Sequence, residues 1–261
     1  MASPNRPALG DLGVALDEDD EVAALRRLLS AGPRTNRLRP AALSPDKATA
    51  PNAPQTGDHS TERLLQLLQD KSGLDEARPI LELELRTREQ RLGAKHADTL
   101  LSCTCLAMLY QAKGELPAAK PLYERALAGF EEKYGANHRD TLISANNLAV
   151  LLKAMGNLGE ARPLYERVLA GDVSQLGHSH PHTLDSIYNL ARLHQAEGEP
   201  DKALPLFWRE LEGCAELYGA EHQETRTSAL NLRGLLLQLG DQPAAAELTR
   251  RFDLPAEDTK A

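Results

Sequence analysis

A recurrence at 42 residues constrains this chain more than any other feature. Gly93, Gly135, Gly177 and Gly219 stand 42 apart, as do Gly114, Gly156, Gly198 and Gly240, and so do His96, His138, His180 and His222. Three markers of different chemistry keep one register. A period of this length means a stack of supersecondary units, none of which can bury its apolar face alone, so each buries it on its neighbours. The class of function this implies is binding along an extended surface, not chemistry in a single cleft.

Each unit reads as two helices. In the first, Leu106, Leu148, Leu190 and Leu232 recur beside Ala107, Ala149 and Ala191, followed by a larger residue at Tyr110, Leu152, His194 and Leu236. Spacings of one and four residues put these on one buried face. The second helix repeats Ala119, Ala161, Ala203 and Ala245, then Tyr123, Tyr165 and Phe207. A small residue followed four later by an aromatic one lets two helices approach closely and interlock. Pro79, Pro121, Pro163 and Pro205 fall within its first two turns, where proline removes at most one intrahelical bond. The second helix is expected to stop at Gly93 and its equivalents in the left-handed conformation. Asp98 with Thr99, and Asp140 with Thr141, are expected to cap the helix that follows.

Full units run over roughly 98–134, 140–176 and 182–218, and a last one starts near Glu224 and fades after Phe252. An incomplete unit precedes them from Thr61, with Leu64, Leu65 and Leu68 one period before Leu106, Ala107 and Tyr110. Residues 1–57 hold seven of the sixteen prolines and are expected to form a mostly disordered tail with a short helix over 20–31. The repeat solenoid is expected over 58–253, and a disordered carboxyl-terminal tail over 254–261. Within the first tail, Val22, Leu25, Leu28 and Leu29 share a helical face behind the acidic run Asp17–Glu21. That run suits the amino terminus of a helix as a solvated turn; alternatively, the segment folds onto the protein's own binding surface.

The order Leu106–Ala107, Tyr110, Gly114, Ala119, Tyr123 and Ala126 resembles the tetratricopeptide pattern. The longer unit, with PLYERAL at 121–127, PLYERVL at 163–169, NNLA at 146–149 and the H-x-D-T-L loop, is similar to the 42-residue repeats of the kinesin light chain family. The resemblance covers roughly residues 61–252. It implies an all-α tetratricopeptide-type helical-hairpin solenoid, a right-handed superhelix of about five repeats whose first helices line a concave groove that binds extended peptides. Kinesin light chains join the heavy chain through an amino-terminal heptad coiled coil. No sustained heptads precede Thr61, so kinesin heavy chain is not an expected partner.

Counting from the buried leucines, the groove should be lined by Met108 and Gln111, then Asn146, Asn147, Val150 and Lys153, then Tyr188, Asn189, Arg192 and Gln195, then Leu230 and Asn231. Asn147, Asn189 and Asn231 lie one period apart. Carboxamides offer both donor and acceptor, so such a ladder either holds a peptide backbone or bonds neighbouring helices and water; both readings stand. Lys153 and Arg192 are candidates to take a carboxylate, or are simply solvated. Tyr188 either anchors an apolar side chain or packs the rim.

Several function classes are excluded. A net charge of -8 and a pI near 5.5 oppose nucleic-acid or anionic-membrane binding, which needs clustered Lys and Arg. No apolar run reaches the roughly 18 residues of a membrane span. Three cysteines without C-x-x-C spacing imply a reducing compartment, and the chain is expected to be cytoplasmic. His178, His180 and His182 alternate in GHSHPHTL, but histidines that recur once per repeat cannot converge on one ion, so loop structure is expected and no metal. The sequence has no G-x-S-x-G, no glycine-rich phosphate loop and no H-E-x-x-H, so neither enzyme nor cofactor is expected. The expected function is a non-catalytic adaptor or scaffold that binds a peptide or partner protein in the groove. The alternative is a structural or self-assembling module that works through its terminal faces. It is motivated by the carboxyl end, where no extra polar helix is available to cover Leu235, Leu236 and Phe252.

Overall fold

Helix boundaries follow the repeat markers. The computed structural model describes residues 74–255, and among them every regular element is an α-helix. In chain order these are α1 Leu74–Leu92, α2 Ala97–Ala112, α3 Leu116–Tyr134, α4 Arg139–Ala154, α5 Leu158–Leu176, α6 Pro181–Ala196, α7 Pro200–Tyr218, α8 Gln223–Gln238 and α9 Gln242–Arg251. The even-numbered helices are the first helices of the units and the odd-numbered ones the second. Each helix packs on its chain neighbours, giving a linear array of hairpins. The tail over 1–57, its helix over 20–31, and Leu64, Leu65 and Leu68 of the incomplete first unit lie outside the described residues.

Each first helix is capped by a histidine. The Nδ1 atoms of His96, His138, His180 and His222 accept the backbone N–H two residues on, at 3.2–3.3 Å, with the histidine backbone extended. This corrects the expectation that Asp98 or Asp140 would cap. A histidine Nδ1 sits as far from its own backbone as an asparagine side-chain oxygen and does the same work of satisfying an orphan donor. The threonines reach backwards instead: Thr99, Thr141 and Thr183 donate to the carbonyls of Gly93, Gly135 and Gly177 at 2.7–2.8 Å. Those glycines also depart from expectation. Gly135, Gly177 and Gly219 combine φ of 84 to 86° with ψ of 162 to 175°, outside the left-handed helical region and in a region essentially reserved for glycine.

The core follows the small-then-aromatic pattern. Ala119, Ala161 and Ala203 are fully buried, as are Tyr123, Tyr165 and Phe207. Pro121, Pro163 and Pro205 are each the sixth residue of their helix and leave it continuous. A further 42-residue series holds each hairpin closed. A Cβ on Gly129, Gly171 or Gly213 would stand 2.4–2.5 Å from a δ-carbon of Leu100, Leu142 or Leu184 on the partner helix. The three cysteines are buried and form no disulfide; burial pushes the Cys103 thiol up to about 11 and raises Cys105 as well, so both are packing residues.

The carboxyl end is closed, contrary to the expectation of an open terminal face and of a tail beginning at 254. Phe252 and Leu254 are buried together with Leu235, Leu236 and Leu248 in one cluster. The turn after α9 is tied down by the guanidinium of Arg233, which donates to the Pro255 carbonyl at 2.7 Å, and by Arg226, which donates to the Asp253 carbonyl. A few residues of chain thus do what an added polar helix does in other solenoids.

Candidate functional site

On α4 and α6 a few partly accessible residues interrupt the packed face, whereas on α2 every residue from Thr99 to Ala107 is buried. On α4, Ser144, Asn147, Leu148 and Leu151 follow i, i+3, i+4, i+7 spacing and are all buried. Asn147 therefore belongs to the packed stripe. It is 1% exposed, and neither end of its carboxamide has a partner among the described residues. Val150 is buried too. These two residues, expected on the groove surface, lie beneath it.

The accessible stripe is Ile143, Asn146 and Lys153 on α4, continued one period on by Asp185, Tyr188, Arg192 and Gln195 on α6. Met108 and Gln111 on α2 and Leu230 on α8 extend it to either side. Asn189 and Asn231 are half-buried at its edge. At the position equivalent to Arg192, α8 carries Gly234, which is exposed with nothing within 4 Å of its missing Cβ. The stripe thus opens wider at that end.

Polar side chains cross between adjacent first helices. Asn189 Nδ2 donates to Asn146 Oδ1 at 3.1 Å, and Gln195 Nε2 donates to Gln238 Oε1 at the same distance. Both pairs are 43 residues apart, one more than the repeat. That offset is the sequence signal that could have found Gln238. Of the asparagine readings, bonding to a neighbouring helix describes Asn189, while Asn147 is buried with nothing to bond. Arg192 Nη1 donates to Gln195 Oε1 at 2.8 Å. Tyr188 meets Phe207 edge-on at 6.0 Å between centroids, so its ring is partly rim packing.

Lys153 differs from its counterparts. Gln111, one period earlier, accepts the Tyr123 hydroxyl at 3.0 Å. Lys153 has no acceptor to offer, and the buried Tyr165 hydroxyl is left without a partner among the described residues. The ammonium lies 6.0 Å from the Tyr165 ring centre. Burial, with the Arg192 charge adding to it, pulls Lys153 down to about 8. Lys153 has no carboxylate partner among the described residues. The Arg192 charge is thus the neighbour that acts on Lys153 at the centre of the stripe.

The opposite side of the array is stapled by ion pairs between second helices and loops. Lys95 pairs with Glu132, Lys120 with Glu160, Arg167 with Glu131, and Arg162 with Glu197 and Glu199. His194, which replaces the leucine or tyrosine of other units, joins this last network through Glu199 at 2.9 Å. The ligand atoms of His194, Glu197 and Glu199 lie within 4.8 Å of one another. Arg162 and Lys202 already neutralise the two carboxylates, so the cluster reads as a salt-bridge network and not as a cation site. His180 and His182 serve the helix cap, with ring centroids 5.3 Å apart.

The tetratricopeptide repeat family model matches residues 99–172, 145–212 and 182–251. The chain belongs to the tetratricopeptide repeat family. Proteins of this family typically mediate protein–protein interactions and are typically non-catalytic. Among solved structures, the chain is similar to a Podosopora anserina protein assigned to the kinesin light chains, with nearly identical tetratricopeptide-like repeats. That likeness has 29% identity and a TM-score of 0.66 over 74% of this chain and 90% of that one. A singly substituted form of the same protein matches at 28% identity and a TM-score of 0.67, again over 74% and 90%. BtubC (BKLC) from P. vanneervenii shares the fold at 18% identity and a TM-score of 0.65, over 95% of this chain and 97% of that chain. No curated protein matches the chain. No helix among the described residues is long and apolar enough to cross a membrane.

Proposed function

We propose that this tetratricopeptide array is a non-catalytic adaptor that holds an extended peptide bearing a carboxylate along the stripe from Met108 to Leu230. The observation that carries the reading is Lys153, a largely buried cation beside the Arg192 charge with no carboxylate partner of its own among the described residues, in a chain of net charge -8. A desolvated ammonium beside a guanidinium is an unfavourable arrangement until an anion arrives, and it favours that anion strongly once it does. Beyond their mutual bond Asn146 keeps its N–H donors and Asn189 its carbonyl acceptor, which suits a peptide backbone whatever its side chains. Tyr188, Met108 and Leu230 supply apolar contact. The closed carboxyl face removes the motive for the alternative in which that face carries assembly.

Selection from a displayed peptide library on the immobilised protein tests this, with the Asn189→Ala, Arg192→Ala double variant in parallel. Enrichment of Asp- or Glu-containing peptides by the parent and their loss in the variant is the expected result. An identical set of peptides from both would end the groove reading.

A further inference from the structure

On the first face of the array one position is apolar where each later unit carries arginine. In the second helices, position 83 recurs as Arg125, Arg167 and Arg209. Each of these reaches back to the preceding unit: Arg125 to Glu89 and the Ala94 carbonyl, Arg167 to Glu131, and Arg209 to His178. Position 80 recurs as Leu122, Leu164 and Leu206, all partly buried against neighbouring units. On α1 the same two positions carry Ile80 at 45% exposure and Leu83 at 61%. A leucine in place of a backward-reaching arginine is suited to an apolar cover, not to an unoccupied end. Beside it, Arg86 is exposed and donates to the Glu82 carbonyl, and its charge lies at the edge of the patch near the Glu82 carboxylate, which it helps to hold below the ordinary glutamate value.

The chain itself has a segment of matching chemistry. Val22, Leu25, Leu28 and Leu29 repeat at helical spacing directly after five acidic residues, Asp17–Glu21. The apolar residues of the nearer segment, Leu64, Leu65 and Leu68, are already assigned by the 42-residue register to the Ala77 and Leu81 side of α1. We propose that Val22–Leu29 docks on the Ile80–Leu83 face of α1, with the acidic run beside Arg86, and caps the array at its amino-terminal end. Residues 30–60 form the tether. A flexible chain of that length has a root-mean-square reach of about 30 Å, enough to bring the segment to the face without strain. The carboxyl end offers the precedent within the molecule, since Phe252 and Leu254 fold over the last unit there.

The full chain allows a direct test, because Cys103, Cys105 and Cys214 are all buried and leave introduced surface cysteines to take the label. Spin labels at Ser30→Cys and at Thr87→Cys, one turn along α1 from Leu83, report whether the two segments meet. The expected result is one narrow short distance that becomes a broad distribution in Leu25→Asp, Leu28→Asp and equally in Leu83→Arg. Leu83→Arg restores the residue of the other units at an exposed position, so it keeps the helix; circular dichroism confirms this. A broad distribution in the parent overturns the proposal, and so does a narrow one that neither variant disturbs. Mixing singly labelled chains covers the remaining occupant: a short distance between copies would mean that a second chain, and not the chain's own segment, covers the face, and would overturn the proposal too.

Discussion

Asn189 on α6 donates its side-chain N–H to the carboxamide oxygen of Asn146 on α4, at 3.1 Å. The bond joins two consecutive units and leaves, side by side, the N–H groups of Asn146 and the carbonyl oxygen of Asn189. Any peptide group carries the complementary pair. Asn189→Ala is expected to lower stability by about 1 kcal/mol through the lost cross-helix bond, read by urea denaturation, and to weaken peptide binding as well.

Binding of a carboxylate should take up protons. Lys153 stands near 8 because burial, and the Arg192 charge after it, penalise its ammonium. About one pH unit above that value the free protein holds Lys153 largely neutral, and a carboxylate placed beside it raises its pKa and recharges it. Titration calorimetry of an enriched acidic peptide, repeated in buffers of different ionisation enthalpy, should show net proton uptake in the parent and none in Lys153→Gln.

The same residue sets a pH slope in stability. Its folded-state pKa of about 8 lies below the ordinary lysine value of 10.5, so between these values the unfolded chain binds more protons. Stability therefore rises with pH across that window, and the penalty is gone above it. Lys153→Gln should remove the slope. It should also raise stability by about 1 kcal/mol, since glutamine restores the acceptor that Gln111 provides to Tyr123 and pairs the orphaned Tyr165 hydroxyl. A gain in stability with a loss of acidic-peptide affinity is the signature expected of a lysine kept for binding.

Two glycine substitutions should move in opposite directions. Gly171→Ala puts a methyl 2.5 Å from Leu142 Cδ1 and 2.9 Å from Cδ2 inside a closed hairpin, and should cost about 1–3 kcal/mol despite the better helix propensity. Gly234→Ala on α8 meets nothing within 4 Å and should gain about 0.5–1 kcal/mol. Thermal denaturation of the two variants against the parent checks both signs.

The histidine caps predict a substitution order. His138→Ala removes the acceptor for the Asp140 N–H and should cost about 1 kcal/mol, whereas His138→Asp keeps a capping acceptor and should cost little. Equal losses for the two, measured by urea denaturation, would mean that the ring stack between Tyr134 and His138, 4.4 Å apart, carries the contribution instead.

Much of the fold was legible because the 42-residue register repeats every core position, so Leu106, Ala119 and Tyr123 each had equivalents that agreed. The helix caps were not, since histidine is an uncommon capping residue and Asp98 and Asp140 stand two places away. The Gly129, Gly171 and Gly213 series was hidden because a glycine inside a helix reads as a weakness until the partner leucine is seen against it. At the groove, counting from the core leucines placed Lys153, Tyr188 and Arg192 on the accessible stripe but put Asn147 there as well. Asn147 and Asn146 differ by one residue, about 100° around the helix, and that rotation decides between core and surface. The carboxyl-terminal cap escaped detection because Phe252 and Leu254 act through a turn, which has no period to betray it.

The most direct test of groove binding is the affinity of one enriched acidic peptide for three proteins: the parent, Asn189→Ala with Arg192→Ala, and Lys95→Ala, which breaks an exposed ion pair on the far side of the array. The expected result is at least about a tenfold loss in the double variant, equivalent to about 1.4 kcal/mol, no loss in Lys95→Ala, and unchanged helicity in all three. Equal affinity across the three proteins would contradict groove binding and place the binding surface elsewhere on the repeats.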